Sequence, residues 1–147
     1  SQATAFAKVA SYKDANVGDV ILDGIAQAKK NGFTANVAIV SFGTEAELKG
    51  IKDANGNYLY NQMTGMFGQV RVLPSAAVAD GEMLIADSRC AKVLRRPSVE
   101  VEITRDADLD GWKVNVRKSA QTKVKTAHKG GLIYVADKTA AITAISK

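Results

Sequence analysis

FTANVAIVSFGTEAELKGIKDANGNYLY, residues Phe33–Tyr60, is the stretch from which the fold is read. The run Val37-Ala38-Ile39-Val40 lies between Gly32 and Gly43 and reads as a strand buried on both faces. A helix start follows at once. Thr44 and Glu47 have the Thr-x-x-Glu spacing of a capping box, so the helix is expected to begin there. Leu48 and Ile51 then share a helical face. The helix gives out at Lys52-Asp53-Ala54-Asn55-Gly56, where Asn-Gly suits the positive-φ positions of a tight turn. Tyr58, Leu59 and Tyr60 resume an ordered apolar segment.

Upstream, Asn16 reads as an N-cap with Asp19 in the first turn. Val17, Val20, Ile21, Gly24, Ile25 and Ala28 make one buried stripe, leaving Asp19, Asp23, Gln27 and Lys30 on the wet side. Lys29 and Lys30 close the helix, Gly32 takes the left-handed position beyond it, and Phe33 folds back on Ala28. Ser1–Asp14, small and polar, reads as the remnant of a longer chain or as an end added in cloning. Downstream, Val70–Leu73 ends as a strand at Pro74, Met83–Ala86 is a buried strand, and Cys90–Leu94 offers another. From Val99 the period becomes two. Val99, Val101 and Ile103 alternate with Glu100 and Glu102, and Trp112, Val114 and Val116 with Lys113, Asn115 and Arg117. With the acidic turn Asp106–Gly111 between them, this predicts a long antiparallel hairpin, wet on one face. Lys123–Lys125 and Leu132–Val135 offer further strands, and Ala140–Ile145 closes the fold.

At 147 residues the chain is one domain by length, with 46% apolar and 24% charged residues, ordinary for a globular protein. No apolar run approaches a membrane span, and Ser1–Ala10 lacks the pattern of a signal peptide. A single cysteine, Cys90, excludes an intrachain disulfide and fits a reducing compartment. The net charge of +5 is uneven: residues 75–147 carry 13 basic and 9 acidic groups. Lys113, Arg117, Lys118, Lys123, Lys125 and Lys129 lie in a segment, 111–136, without any carboxylate. As alternating strand positions they would form one basic face. Phosphate neutralisation is one use for it. A solvated face is the simpler one, since aromatic platforms for stacking bases are missing.

Chemistry is sparse. Asp106-x-Asp108-x-Asp110-Gly111 copies half of an EF-hand loop, but Arg117 stands where its bidentate Glu belongs, so a charged hairpin turn fits better. His128 has no nucleophile context, and Cys90, although next to Arg89, has no second partner. Two such ligands are too few for zinc. Lys129-Gly130-Gly131 lacks the Walker spacing, and Arg95-Arg96-Pro97-Ser98 reads as a turn. No catalytic residue, cofactor or metal is expected.

The order of elements carries more. Helix, buried strand, capped short helix, the signature Lys52, Asp53, Gly56, Tyr58 and Leu59, then Gly68-Gln69-Val70-Arg71-Val72, resembles the major capsid proteins of tailed bacteriophages, which have the Hong Kong ninety-seven type of fold. Gln69 departs from the Pro common at that point of the family. The resemblance implies an α+β fold, a mixed sheet flanked by helices plus a long β-hairpin and peripheral-domain strands. It implies an axial-type domain over 16–98, with 99–147 returning toward the peripheral domain and 1–15 an N-terminal remnant. It implies a structural, non-enzymatic shell protein of a phage or prophage, whose partners are other copies of itself. Assembly would take place in the host cytoplasm and the product would reside in the virion. Cations of the basic face would then meet acidic surfaces of neighbouring subunits. The family's N-terminal arm, extended loop and spine helix are not found, so an excised domain unable to close a shell is expected. An encapsulin-like shell protein and a basic nucleic-acid-binding module remain the alternatives; a membrane partner is not expected.

Overall fold

The computed structural model describes residues 3–95, 98–106, 108 and 110–147. In chain order its elements are β1 (Thr4–Ala5), α1 (Val17–Lys30), β2 (Val37–Val40), α2 (Phe42–Gly50), β3 (Tyr60–Asn61) and β4 (Met66–Phe67). They continue as β5 (Val70–Pro74), β6 (Met83–Ala86), β7 (Ala91–Arg95), β8 (Glu100–Asp106) and β9 (Gly111–Arg117). The last are β10 (Ala120–Val124), a 3-10 turn (Thr126–Gly131), β11 (Leu132–Val135) and α3 (Lys138–Ile145). The chain divides into two compact units, Ser1–Cys90 with Lys125–Lys147, and Ala91–Val124.

The larger unit is a seven-stranded mixed sheet of order β1-β11-β6-β2-β5-β4-β3. β2 pairs in parallel with β5, and α2 makes the crossover between them. β1 pairs in parallel with β11 (Thr4 opposite Ile133), and the remaining pairs are antiparallel. The mixed α+β fold expected from the sequence is present.

Local chemistry sets the helices. Asn16 Oδ1 accepts from Asp19 N (3.1 Å) and Asp19 Oδ2 from Asn16 N (2.9 Å), a complete capping box. At the other end Gly32 adopts φ +82° and Phe33 N donates to the Ala28 carbonyl (2.9 Å). Helix α2 is capped three residues earlier than Thr44 and begins at Phe42. Its cap is Ser41, whose Oγ accepts from Thr44 N (3.2 Å), while Glu47 reaches Lys138 (2.7 Å) and not its own backbone. Two cap-competent residues stand three apart. The earlier one wins because Phe42 and Gly43 turn helical directly from β2, with the Ser41 hydroxyl also 2.9 Å from Asp80 Oδ1.

The core lies on one face of the sheet. Ala38, Val40, Val72, Met83, Ile85, Ile133 and Val135 are buried beneath Val20 and Ile21 of α1, Leu48 of α2 and Ile145 of α3. On the opposite face Val37, Ile39, Leu84 and Tyr134 are half-buried and Leu73 is exposed. The expectation of a strand buried on both faces is therefore corrected: β2 shows an alternating pattern because the packed helices lie against one side. An apolar run of four cannot by itself reveal this.

Asp23 and Gln27, assigned above to the wet side of α1, are buried. The segment read as a remnant covers them. Asp23 accepts from Val9 N (2.8 Å) and Ala10 N (2.7 Å), and Gln27 bonds the backbone of Ala7 and Ala5. An irregular segment brings unpaired backbone groups with it, and these two polar side chains satisfy them.

The smaller unit is two antiparallel ribbons, β7 with β10 and β8 with β9. The expected long antiparallel hairpin forms, with Glu100 opposite Arg117 and Asp106 opposite Gly111. It is not wet on one face only. Val101, Ile103, Val114 and Val116 on the apolar side are all exposed, and Trp112 is 71% exposed. A two-stranded ribbon has one apolar layer and nothing of its own to pack on it.

Candidate functional site

The signature turn is a small hairpin of its own. Lys52 and Tyr58 form an antiparallel bridge, and the Lys52 ammonium lies 4.6 Å from the centre of the Tyr58 ring. Asp53 organises the loop between them. Its Oδ1 accepts from Asn55 N (2.8 Å) and Asn57 N (2.8 Å), and its Oδ2 from Asn57 Nδ2 (3.2 Å). Those hydrogen bonds, the backbone one from Asn57 foremost, hold its carboxyl below the usual range. Gly56 takes φ +83°, a conformation that L side chains avoid, and Leu59 N returns to the Ile51 carbonyl (3.1 Å). Four of the five signature residues thus have a geometric task in one turn, and Leu59 closes it. Tyr58 and Leu59 remain exposed, so the turn presents an apolar and aromatic tip.

The six basic residues are spread over several elements of the two units. Lys113 and Arg117 share the polar side of β9, but Glu100 lies opposite Arg117 and Glu102 opposite Asn115 between them. Lys118 follows β9, and Lys123 is on β10. Lys125 caps and Lys129 lies within the 3-10 turn of the larger unit, where Lys129 is half-buried and its carbonyl accepts from Thr4 Oγ1 (2.9 Å). Alternation was inferred across Lys118–Ala120, where the strand breaks and the phase is lost. One cation escaped the sequence reading. Lys92 on β7 stands directly opposite Lys123, a proximity visible only once the two strands are paired.

The acidic turn is a hairpin turn. Asp106 Oδ1 accepts from Asp108 N (3.2 Å), Arg105 Nη2 reaches Asp110 Oδ1 (3.1 Å), and Asp110 carries φ +44°. Ala107 and Leu109 lie outside the described residues, as do Arg96 and Pro97 of the Arg-Arg-Pro-Ser turn.

Cys90 and His128, far apart in sequence, line the same cavity of about 300 Å³ with Gly32, Phe33, Asp87 and Arg89. His128 sets its ring edge-on to Phe33 (centroids 5.9 Å apart). Burial, and then Asp87, push the Cys90 thiol up, which disfavours the nucleophilic thiolate. Its Sγ lies 2.5 Å from where a Cβ on Gly131 would stand, so the sulfur fills space against that glycine. The arrangement is one of packing.

A family model described as "Phage capsid family" matches residues 1–143. Among curated proteins none matches the chain. Solved structures do. One from Mycobacterium phage Che8 is 17% identical with a TM-score of 0.62, over 94% of this chain and 54% of that one. One described as "Capsid of empty GTA particle computed with C5 symmetry" is 16% identical with a TM-score of 0.63, over 90% and 52%. A virus-like particle from Pyrococcus furiosus is 12% identical with a TM-score of 0.54, over 87% and 55%. At such identities the likeness is one of fold, and the chain spans about half the length of the chains it matches. The signature turn, the mixed sheet and the family match over nearly all of its residues place this chain in the phage capsid family.

Proposed function

We propose that the chain is the shell-forming part of a major capsid protein of a tailed phage or prophage, acting by association with further copies of itself. The observation that carries this reading is the uncovered apolar layer of the hairpin, Val101, Ile103, Trp112, Val114 and Val116. A monomer gains nothing by exposing such a layer, whereas a subunit of an assembly covers it. The reading is non-enzymatic: the protein's work is the geometry of its contacts. Within it, residues 16–98 take the axial role, the hairpin and return strands lead toward the peripheral part, and the Lys52–Leu59 turn presents a contact tip. Assembly proceeds in the host cytoplasm and the product resides in the virion. An encapsulin-like shell would use the same surfaces.

The competing reading, a nucleic-acid module, has less support, because Glu100 and Glu102 interleave Lys113 and Arg117. The two readings separate by sedimentation and DNA titration of the same sample. Association that rises with protein concentration, giving small oligomers of this chain alone, is expected. A strictly monomeric chain with tight, salt-dependent DNA binding, abolished by K113E/K123E/K125E, overturns the proposal.

A further inference from the structure

Lys92 and Lys123 are directly paired across the β7–β10 ribbon, and both are exposed. Residues facing each other in an antiparallel pair have Cβ atoms about 4.5–5.5 Å apart, and like charges placed so destabilise the pair. Neither strand carries a carboxylate: β7 reads Ala-Lys-Val-Leu-Arg and β10 Ala-Gln-Thr-Lys-Val. Among the described residues no acidic group pairs with either lysine. The next rung on the same side, Leu94 opposite Gln121, offers no compensation. Lys118 and Lys125 flank β10 and add to the positive field. The isolated subunit therefore holds two like charges across one rung, an arrangement that an anion from outside the strand pair would relieve.

The same unit carries the complement. At the far end of the hairpin stand Asp106, Asp108 and Asp110, with only Asp110 in an ion pair, to Arg105, among the described residues. The twin lysines lie at the opposite end of the strand path, one rung from where the chain enters this unit at Ala91 and leaves it at Val124.

We propose that the Lys92–Lys123 pair clasps the acidic hairpin turn, Asp106 and Asp108, of a second copy of this chain. The contact is heterologous, one surface meeting a different one, which is the type that generates rings when the rotation closes. Single-stranded nucleic acid is the less suited anion, since β7 and β10 present no aromatic side chain for bases to stack on. The proposal rests on the self-association proposed above and names where that association is made.

The test mixes copies of normal and heavy-nitrogen chain at low salt and joins touching carboxylates and amines with a carbodiimide. Peptides linking Lys92 or Lys123 of one isotope to Asp106 or Asp108 of the other are expected. Lys92→Glu with Lys123→Glu should lower their yield at least tenfold, and so should Asp106→Lys with Asp108→Lys. Mixing the two reversed proteins should regain contact, read as the appearance of links between the new lysines and the new glutamates. Asp110 is left in place because it holds a positive φ and the Arg105 pair. Circular dichroism confirms folding, and Lys92→Gln with Lys123→Gln serves should the reversed pair misfold. Links between copies at other residues only, unaffected by the reversals, overturn the clasp while self-association stands. No link between copies overturns both. Duplex DNA binding lost in the glutamate variant, without any lysine–aspartate link, also overturns the clasp.

Discussion

Arg89 grips Asp87 from two residues away: Nη2 stands 2.6 Å from Oδ2 and Nε 3.0 Å from Oδ1. The carboxylate is buried, and it also accepts from the backbone N–H groups of Arg89 (3.0 Å) and Thr34 (3.2 Å). It thereby ties the start of β2 to the turn that follows β6.

The first prediction concerns acid. The Arg89 side chain, ahead of the backbone bonds, holds the Asp87 carboxyl well below the usual carboxylate range. A carboxyl lowered on folding lends stability that is fully present above its unfolded pKa of about 4 and is lost as pH falls below it. Asp87→Asn keeps the shape and removes the charge. It should cost about 1–3 kcal/mol at neutral pH and flatten the acid limb of the stability curve. Urea melts from pH 7 to pH 3 check this; parallel curves for the two proteins would refute it.

Asp23 is the anchor of the amino-terminal segment. Asp23→Ala leaves the Val9 and Ala10 N–H groups without their buried acceptor, at an expected cost of about 2–4 kcal/mol for two charge-assisted bonds. Hydrogen exchange at those two amides should accelerate first. Unchanged protection there would show that the segment is held by something else.

Ile39 and Ile85 test the one-sided core. Ile85 is fully buried on the covered face, so Ile85→Ala should cost about 2–5 kcal/mol. Ile39 lies on the half-open face, and Ile39→Ala should cost nearer ~1 kcal/mol. Equal losses by chemical denaturation would mean that both faces of β2 are covered.

Trp112 is the only tryptophan and is 71% exposed, so its fluorescence reports on the hairpin alone. In dilute solution its emission should match free tryptophan in water and be quenched readily by iodide. Concentrating the protein should shift the emission to the blue as a partner covers the apolar layer. An invariant, water-like spectrum under conditions where sedimentation shows association would place the interface elsewhere.

Much of the fold was legible in the sequence because it is written in short-range terms. The Asn16 cap, the Gly32 stop and the two-residue period of the hairpin each depend on neighbours a few positions away, and each stands as read. What the sequence hid depends on distance. Asp23 and Gln27 fit a polar helix face until a segment 13 to 22 residues away is laid over them. Thr44 matched a cap spacing that Ser41, backed by Asp80, satisfied first. Lys92 was unremarked because its significance is its partner across the ribbon, and the end of β9 at Arg117 interrupts the alternation that the cations of 113–129 suggested.

The pairing of Thr4 with Ile133 sets a timetable on the ribosome. At roughly 5–20 residues per second, about 6 to 26 seconds separate the synthesis of the two strands that share that edge. Until then β6, in the middle of the sheet, has one neighbour and an open side, because the 34 residues Ala91–Val124 are made before β11 arrives. The amino-terminal segment can meanwhile settle on Asp23 and Gln27, which emerge early. Completion of the larger unit thus waits for the smaller one to be translated, and a pause within codons 91–124 would lengthen the exposure of an unpaired strand edge.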